Sequence, residues 1–117
     1  MGHHHHHHMS AFVTKAEEMI KSHPYFQLSA SWCPDCVYAN SIWNKLNVQD
    51  KVFVFDIGSL PRNEQEKWRI AFQKVVGSRN LPTIVVNGKF WGTESQLHRF
   101  EAKGTLEEEL TKIGLLP

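Results

Sequence analysis

The sequence predicts an α/β domain with a central four-stranded mixed sheet flanked by helices, in the order α-β-α-β-α-β-β-α-α. Three observations predict it. Two apolar runs, residues 25–30 and 52–57, bracket a helical pattern, and such a strand, helix, strand unit sets its strands parallel through a right-handed crossover. Asn87-Gly88 joins two further apolar runs and is the strongest short hairpin signal. The remaining stretches carry apolar residues at helical spacing.

The chain opens with Met1-Gly2 and histidines at 3–8, an expression tag that is expected to be disordered and is set aside from metal reasoning. Residues 9–117 are enough for one domain with a single core. Residues 10–22 carry Phe12, Ala16, Met19 and Ile20 on one helical face, closed by His23-Pro24. Residues 25–30 form a strand that runs into Trp32-Cys33-Pro34-Asp35-Cys36, and residues 33–46 form a helix striped by Ala39, Ile42, Trp43 and Leu46. Pro34 takes the first helical position, where its missing N–H costs nothing. Residues 52–57 are continuously apolar apart from Asp56, as expected of a strand covered on both faces.

After a turn at 58–62, residues 63–76 give the clearest helix, with Trp68, Ala71, Phe72, Val75 and Val76 on one stripe and Gly77 to end it. Pro82 opens a strand over 83–86, and residues 89–91 complete the hairpin. Thr93 with Gln96 makes a capping box for a helix over 94–102, and Thr105 with Glu108 offers a second box for a last helix carrying Leu106, Leu110 and Ile113.

Thirteen basic and 12 acidic residues leave a net charge of +1 with no cationic stripe, which argues against nucleic acid or membrane surfaces as partners. No stretch approaches a membrane span or a secretory leader, so a soluble cytoplasmic protein is expected. Both cysteines of the chain lie three apart at a strand-to-helix junction. The loop they close is too short to stabilise a fold, so chemistry explains them better than stability. A helix N-terminus offers free N–H groups and the positive end of a dipole, both of which favour a thiolate. Cys33 is the expected nucleophile, and Cys36, one turn on, is in reach to resolve its mixed disulfide. Structural zinc would need two further ligands, which the chain outside the tag does not pattern.

The order of elements around CxxC and a later proline resembles the thioredoxin-like fold and, within it, the glutaredoxin family. Trp32-Cys33-Pro34-Asp35-Cys36 is similar to the family's Cys-Pro-Tyr-Cys, in the variant with tryptophan before the first cysteine found in fungi. Residues 77–82, Gly-Ser-Arg-Asn-Leu-Pro, resemble Gly-x-Arg-Thr-Val-Pro, and residues 91–95 loosely resemble Gly-Gly-x-Ser-Asp. The resemblance implies a thiol–disulfide oxidoreductase, acting as a monomer with no bound cofactor. Glutathione would be its co-substrate, and disulfide-containing or glutathionylated proteins its partners. It also implies a cis bond at Leu81-Pro82 facing the cysteines, with the exposed Leu81 backbone pairing with substrate. Arg69 stands where the family binds a glutathione carboxylate, and Thr93, Glu94 and Ser95 stand where it holds the γ-glutamyl end. Trp32 is read either as a core aromatic or as an apolar wall beside the sulfur.

Three departures leave the reductant open. Ala30 stands where family members carry a lysine, Asp35 replaces tyrosine, and Gln27 replaces the buried aspartate of thioredoxins. The string around the cysteines is also similar to thioredoxin-related proteins served by thioredoxin reductase, and a redox-silent binding module is a third reading. Asp35 adds about 0.3–1 kcal/mol to the helix start but opposes a thiolate beside it, so low activity is expected. In Asp35→Tyr, thiolate absorbance should therefore appear at lower pH than in wild type; an unchanged or higher titration would contradict that role for the carboxylate.

Overall fold

The computed structural model describes residues 7–117. Its elements are α1 (His7–Ser22), β1 (Tyr25–Ser29), α2 (Pro34–Lys45), β2 (Phe53–Asp56), α3 (Arg62–Val76), β3 (Thr83–Val86), β4 (Lys89–Gly92), α4 (Glu94–Lys103) and α5 (Leu106–Lys112). The strands form one sheet in the order β2-β1-β3-β4, with β1 parallel to β2 and antiparallel to β3, and β3 antiparallel to β4. The hairpin turn places Asn87 at φ 51° and Gly88 at φ 81°, the positive pair that a tight hairpin between right-twisted strands demands.

The sheet is covered on both faces. On one, Phe26 and Leu28 of β1 and Val85 of β3 meet Ala16 and Ile20 of α1 and Ala71 and Phe72 of α3. Phe26 stacks on Phe72 at 5.3 Å, and Trp68 stands edge-on to Phe55 at 4.9 Å. On the other face, Ile84 packs with Ala39, Ile42 and Trp43 of α2, Leu97 of α4, and Leu106 and Leu110 of α5. The alternation of β1 thus sends consecutive side chains to different cores.

Three expectations need correction. Residues 52–57 do contain the strand parallel to β1, but β2 is a sheet edge, with Phe53 38% and Val54 37% exposed. The buried residues of that run, Val52 and Ile57, flank the strand instead, and Phe53 finds a partner in the His23 ring, stacked on it at 3.8 Å. An apolar run reports burial without saying which residues supply it. Helix α1 begins at His7, inside the tag, because extending a helix costs far less than starting one; the rest of the tag, residues 1–6, lies outside the described residues. The capping box at Thr105 does not form, and its side chain makes no cap hydrogen bond.

Helices α2 and α4 are tied at the surface. Tyr38 donates its hydroxyl hydrogen to Glu101, Lys45 reaches the other Glu101 oxygen at 3.3 Å, and His98 stacks on Tyr38 at 3.9 Å. The Tyr38 hydrogen bond, ahead of the Lys45 charge, holds the Glu101 carboxyl below its ordinary 4.5. A carboxyl depressed in the folded state adds stability above its ordinary pKa and loses it as pH falls through the folded value. Tyr38→Phe is expected to cost about 0.5–1 kcal/mol at neutral pH, little because the pair is exposed, with the gap closing as pH falls through the Glu101 range. Urea denaturation across that range measures both.

Candidate active site

Strand β1 ends at Ser29, and four residues later Cys33 is the N-cap of α2, with extended backbone at φ −95° and ψ 119°. Its carbonyl accepts the first helical hydrogen bonds, from the N–H groups of Cys36 at 3.0 Å and Val37 at 3.1 Å, and its own N–H donates to Ala30 O at 3.0 Å. Pro34 occupies the first helical turn with Asp35, whose carboxylate is exposed. Most N-cap side chains accept from the helix; the Cys33 thiol instead donates outward to the carbonyl of Leu81, 3.5 Å away. The Leu81–Pro82 bond is cis, as the resemblance implied. Leu81 itself is buried with that carbonyl already engaged, whereas an exposed backbone was expected.

Cys36 is 1% exposed, against a half-buried Cys33. The backbone N–H of Ala30 donates to its sulfur at 3.4 Å. Burial pushes the Cys36 thiol up to about 11, with a smaller push from Cys33, while the Ser29 hydroxyl and the Ala30 N–H oppose the shift. The two sulfurs are therefore unlike: one faces outward at a helix end, and the other sits behind it as a neutral thiol.

Trp32 is 56% exposed, which removes its reading as a core aromatic. Its indole N–H donates to Gln65 Oε1 at 3.2 Å, and Gln65 Nε2 donates in turn to the carbonyls of Leu60 at 2.8 Å and Gly58 at 3.3 Å. Asp56, at the end of β2, holds the same corner: its Oδ1 accepts from the N–H of Ser31 at 2.9 Å and of Gly58 at 2.8 Å. Trp32, Arg62, Gln65, Glu66 and Arg69 line a cavity of about 550 Å³. Arg69 donates through Nε to the carbonyl of Arg79 at 2.9 Å, and Arg79 pairs with Glu66, so α3 braces the loop that leads to Pro82.

Beyond Pro82, Thr93 and Gln96 form the expected capping box. The Ser95 N–H is spent on Thr93 Oγ1 at 3.2 Å, so it is not a free donor. Glu94 accepts from Asn80 Nδ2 at 2.8 Å, joining the start of α4 to the proline loop. The structure thus brings Trp32 and Arg69 to one cavity and Cys33 to Leu81, while of Thr93, Glu94 and Ser95 it is Glu94 that bonds to the loop, at Asn80. Gln65 and Asn80 escaped sequence reading. Gln65 lies four residues before Arg69 on the same helix face, a spacing that could have flagged it.

Fold and paired sulfurs together define a thiol–disulfide oxidoreductase with the thioredoxin-like fold. The glutaredoxin family model matches residues 19–91, and the chain belongs to the glutaredoxin family. It is 30% identical to glutaredoxin-1 of Saccharomyces cerevisiae over 103 residues, which are 86% of this chain and 92% of that protein. To mitochondrial glutaredoxin-2 of Rattus norvegicus it is 33% identical over 94 residues, 80% of this chain and 57% of the longer rat protein. The crystal structure of oxidised glutaredoxin 2 from Chlamydomonas reinhardtii superposes with a TM-score of 0.74 at 25% identity, covering 92% of this chain and 98% of that one. The buckwheat glutaredoxin–glutathione complex shares the fold, with a TM-score of 0.73 at 18% identity over 93% of this chain and 96% of that one.

A Cβ at Gly58 would lie 2.7 Å from the Ser31 nitrogen and 2.9 Å from Asp56 Oδ1, so Gly58→Ala must open the corner beneath Trp32. The expected result is a loss of about 1–3 kcal/mol in denaturation with slower alkylation of Cys33; wild-type values for both would show the corner to be dispensable.

Proposed function

We propose that this protein reduces disulfides and glutathione mixed disulfides with glutathione as electron donor, through Cys33 as nucleophile and Cys36 as resolving thiol. The observation that carries the reading is the unequal exposure of the two sulfurs one helical turn apart. The Cys33 thiolate attacks a substrate sulfur and forms a mixed disulfide as the other substrate sulfur leaves as a thiolate. With a protein disulfide as substrate, Cys36 then attacks Cys33 Sγ, expels the substrate sulfur bound there as a thiolate and closes Cys33–Cys36, which two glutathione molecules reduce in turn, leaving as glutathione disulfide. With a glutathionylated substrate, a second glutathione regenerates Cys33 and Cys36 is not needed.

Glutathione carries two carboxylates, and the cavity beside Trp32 supports a site for one of them through Arg62 and Arg69, whose guanidinium groups suit planar bidentate pairing. This cationic wall stands in for the lysine that the family resemblance places where Ala30, fully buried, is found. The start of α4, at Thr93, Glu94 and Ser95, is the proposed seat of the γ-glutamyl end, with one fewer free N–H than a bare helix terminus because Thr93 caps Ser95. Low turnover is proposed from the exposed Asp35 carboxylate in the first turn of α2.

Turnover coupled to glutathione and glutathione reductase tests the donor. Cys33→Ser should abolish it, Cys36→Ser should keep deglutathionylation of a small mixed disulfide while losing reduction of a protein disulfide, and Arg69→Ala should raise the KM for glutathione by about tenfold. Turnover with thioredoxin reductase and none with glutathione would overturn the choice of donor.

A further inference from the structure

Trp32 stands next to the reacting cysteine and is held there by a side chain to which the steps above give no work. Helix α3 carries Arg62, Gln65, Glu66 and Arg69 at the i, i+3, i+4, i+7 spacing of one helix face, and that face lines the cavity of about 550 Å³ together with Trp32. Gln65 Nε2 donates to the carbonyls of Leu60 at 2.8 Å and Gly58 at 3.3 Å. A carbonyl can only accept, so these two bonds fix which end of the amide is nitrogen, and Oε1 is the end left to accept from the Trp32 indole N–H at 3.2 Å. The backbone on the other side of Trp32 is tied to the same turn, because Asp56 Oδ1 accepts from the N–H of both Ser31 and Gly58. Trp32 is thus fastened through its ring and through its chain neighbour, yet it is 56% exposed. Burial does not explain an ordered indole that stays open to solvent, whereas a ligand lying on its face would. The wall beyond it is cationic. Glu66 is paired with Arg79, Arg69 spends its Nε on the Arg79 carbonyl, and among the described residues Arg62 and the terminal nitrogens of Arg69 have no partner.

We propose that Gln65 is a positioning residue that fixes the Trp32 indole as the wall between Cys33 and the arginines, and that Trp32 selects disulfides whose Cys33-bound half is a peptide ending in a carboxylate. The inference rests on the glutathione reading above and adds to it the residues that shape its site. The Cys33 thiolate attacks one sulfur of such a disulfide, the bond from Cys33 to that sulfur forms, and the original sulfur–sulfur bond breaks. The other half leaves as a thiolate and takes a proton from solvent. The half retained on Cys33 runs past residue 32 to bring its carboxylate to Arg62 and Arg69. An indole already held in place gives that peptide an apolar face and needs no ordering when it binds. A neutral disulfide has no carboxylate to place in the cavity and draws no such benefit. Gln65 and Trp32 exchange no proton and change no charge.

The experiment measures two rate constants for the reduced protein, one with glutathione disulfide, by acid quench and intact mass, and one with neutral 4,4′-dithiodipyridine, by release of its coloured thiopyridone. Their ratio cancels any general change in Cys33 reactivity. Gln65→Leu is expected to lower the ratio of glutathione disulfide to dithiodipyridine by about threefold to tenfold. Trp32→Phe, which keeps a ring and loses the N–H, should lower it at least as far, and the double variant no further than Trp32→Phe alone, because both changes cut the same bond. Arg69→Ala should lower the ratio as well. A wild-type ratio in Gln65→Leu, or a double variant that falls by the product of the two single effects, would overturn the inference while a lowered ratio in Arg69→Ala leaves the glutathione reading intact. A wild-type ratio in Arg69→Ala would overturn the arginine site and the inference with it.

Discussion

The structure turns on a difference in burial between two sulfurs that one helical turn separates. Cys33 caps α2 and faces outward against the Leu81 carbonyl, while Cys36 lies 1% exposed under the same turn. That difference needs β1 to end before Cys33, α2 to begin with Pro34, and the cis Leu81–Pro82 loop to close over the pair. The two cores support the arrangement from opposite sides. Cys36 belongs with Phe26, Leu28 and Phe72, while Ala39, Ile42 and Trp43, further along α2, anchor the helix against Ile84 and Leu97.

Charge is arranged sparingly around this pair. Ala30 is buried, so a cation at that point of the chain is absent, and the basic groups nearest the exposed Trp32 come from α3 as Arg62 and Arg69. Arg69 is also an anchor, since its Nε holds the Arg79 carbonyl in the segment that leads to Pro82. Asn80 continues that brace to Glu94 at the start of α4. A ligand drawn to the arginines would therefore sit against a loop whose position α3 and α4 both set, and its binding would couple to the carbonyl that Cys33 faces.

Much of this was legible in the sequence because its causes are local. The junction at Trp32 to Cys36, the helix stripe ending at Gly77, the Asn87-Gly88 turn and the Thr93–Gln96 box each follow from a few neighbouring residues, and each formed within a residue or two of its expected place. What was not legible depends on partners far along the chain. The edge position of β2 depends on which strands flank β1, a fact that an apolar run does not encode. Gln65 acquires its role from Trp32, 33 residues away, and Gln27 from Asn40, Trp43 and Ser29 together. A glutamine in the middle of a strand reads as a misplaced polar residue until its four hydrogen-bonding sites are seen to be almost fully used. Asp56 holds the N–H of Gly58 two residues on, which is local, and that of Ser31, 25 residues away, which is not.

The central claim is that burial assigns the two cysteines different work, and it is tested most directly by labelling the reduced native protein briefly with iodoacetamide and mapping the modified peptides by mass spectrometry. The account predicts label on Cys33 first, with Cys36 unmodified until the protein is denatured. Equal labelling of both, or Cys36 labelled before Cys33, would contradict it.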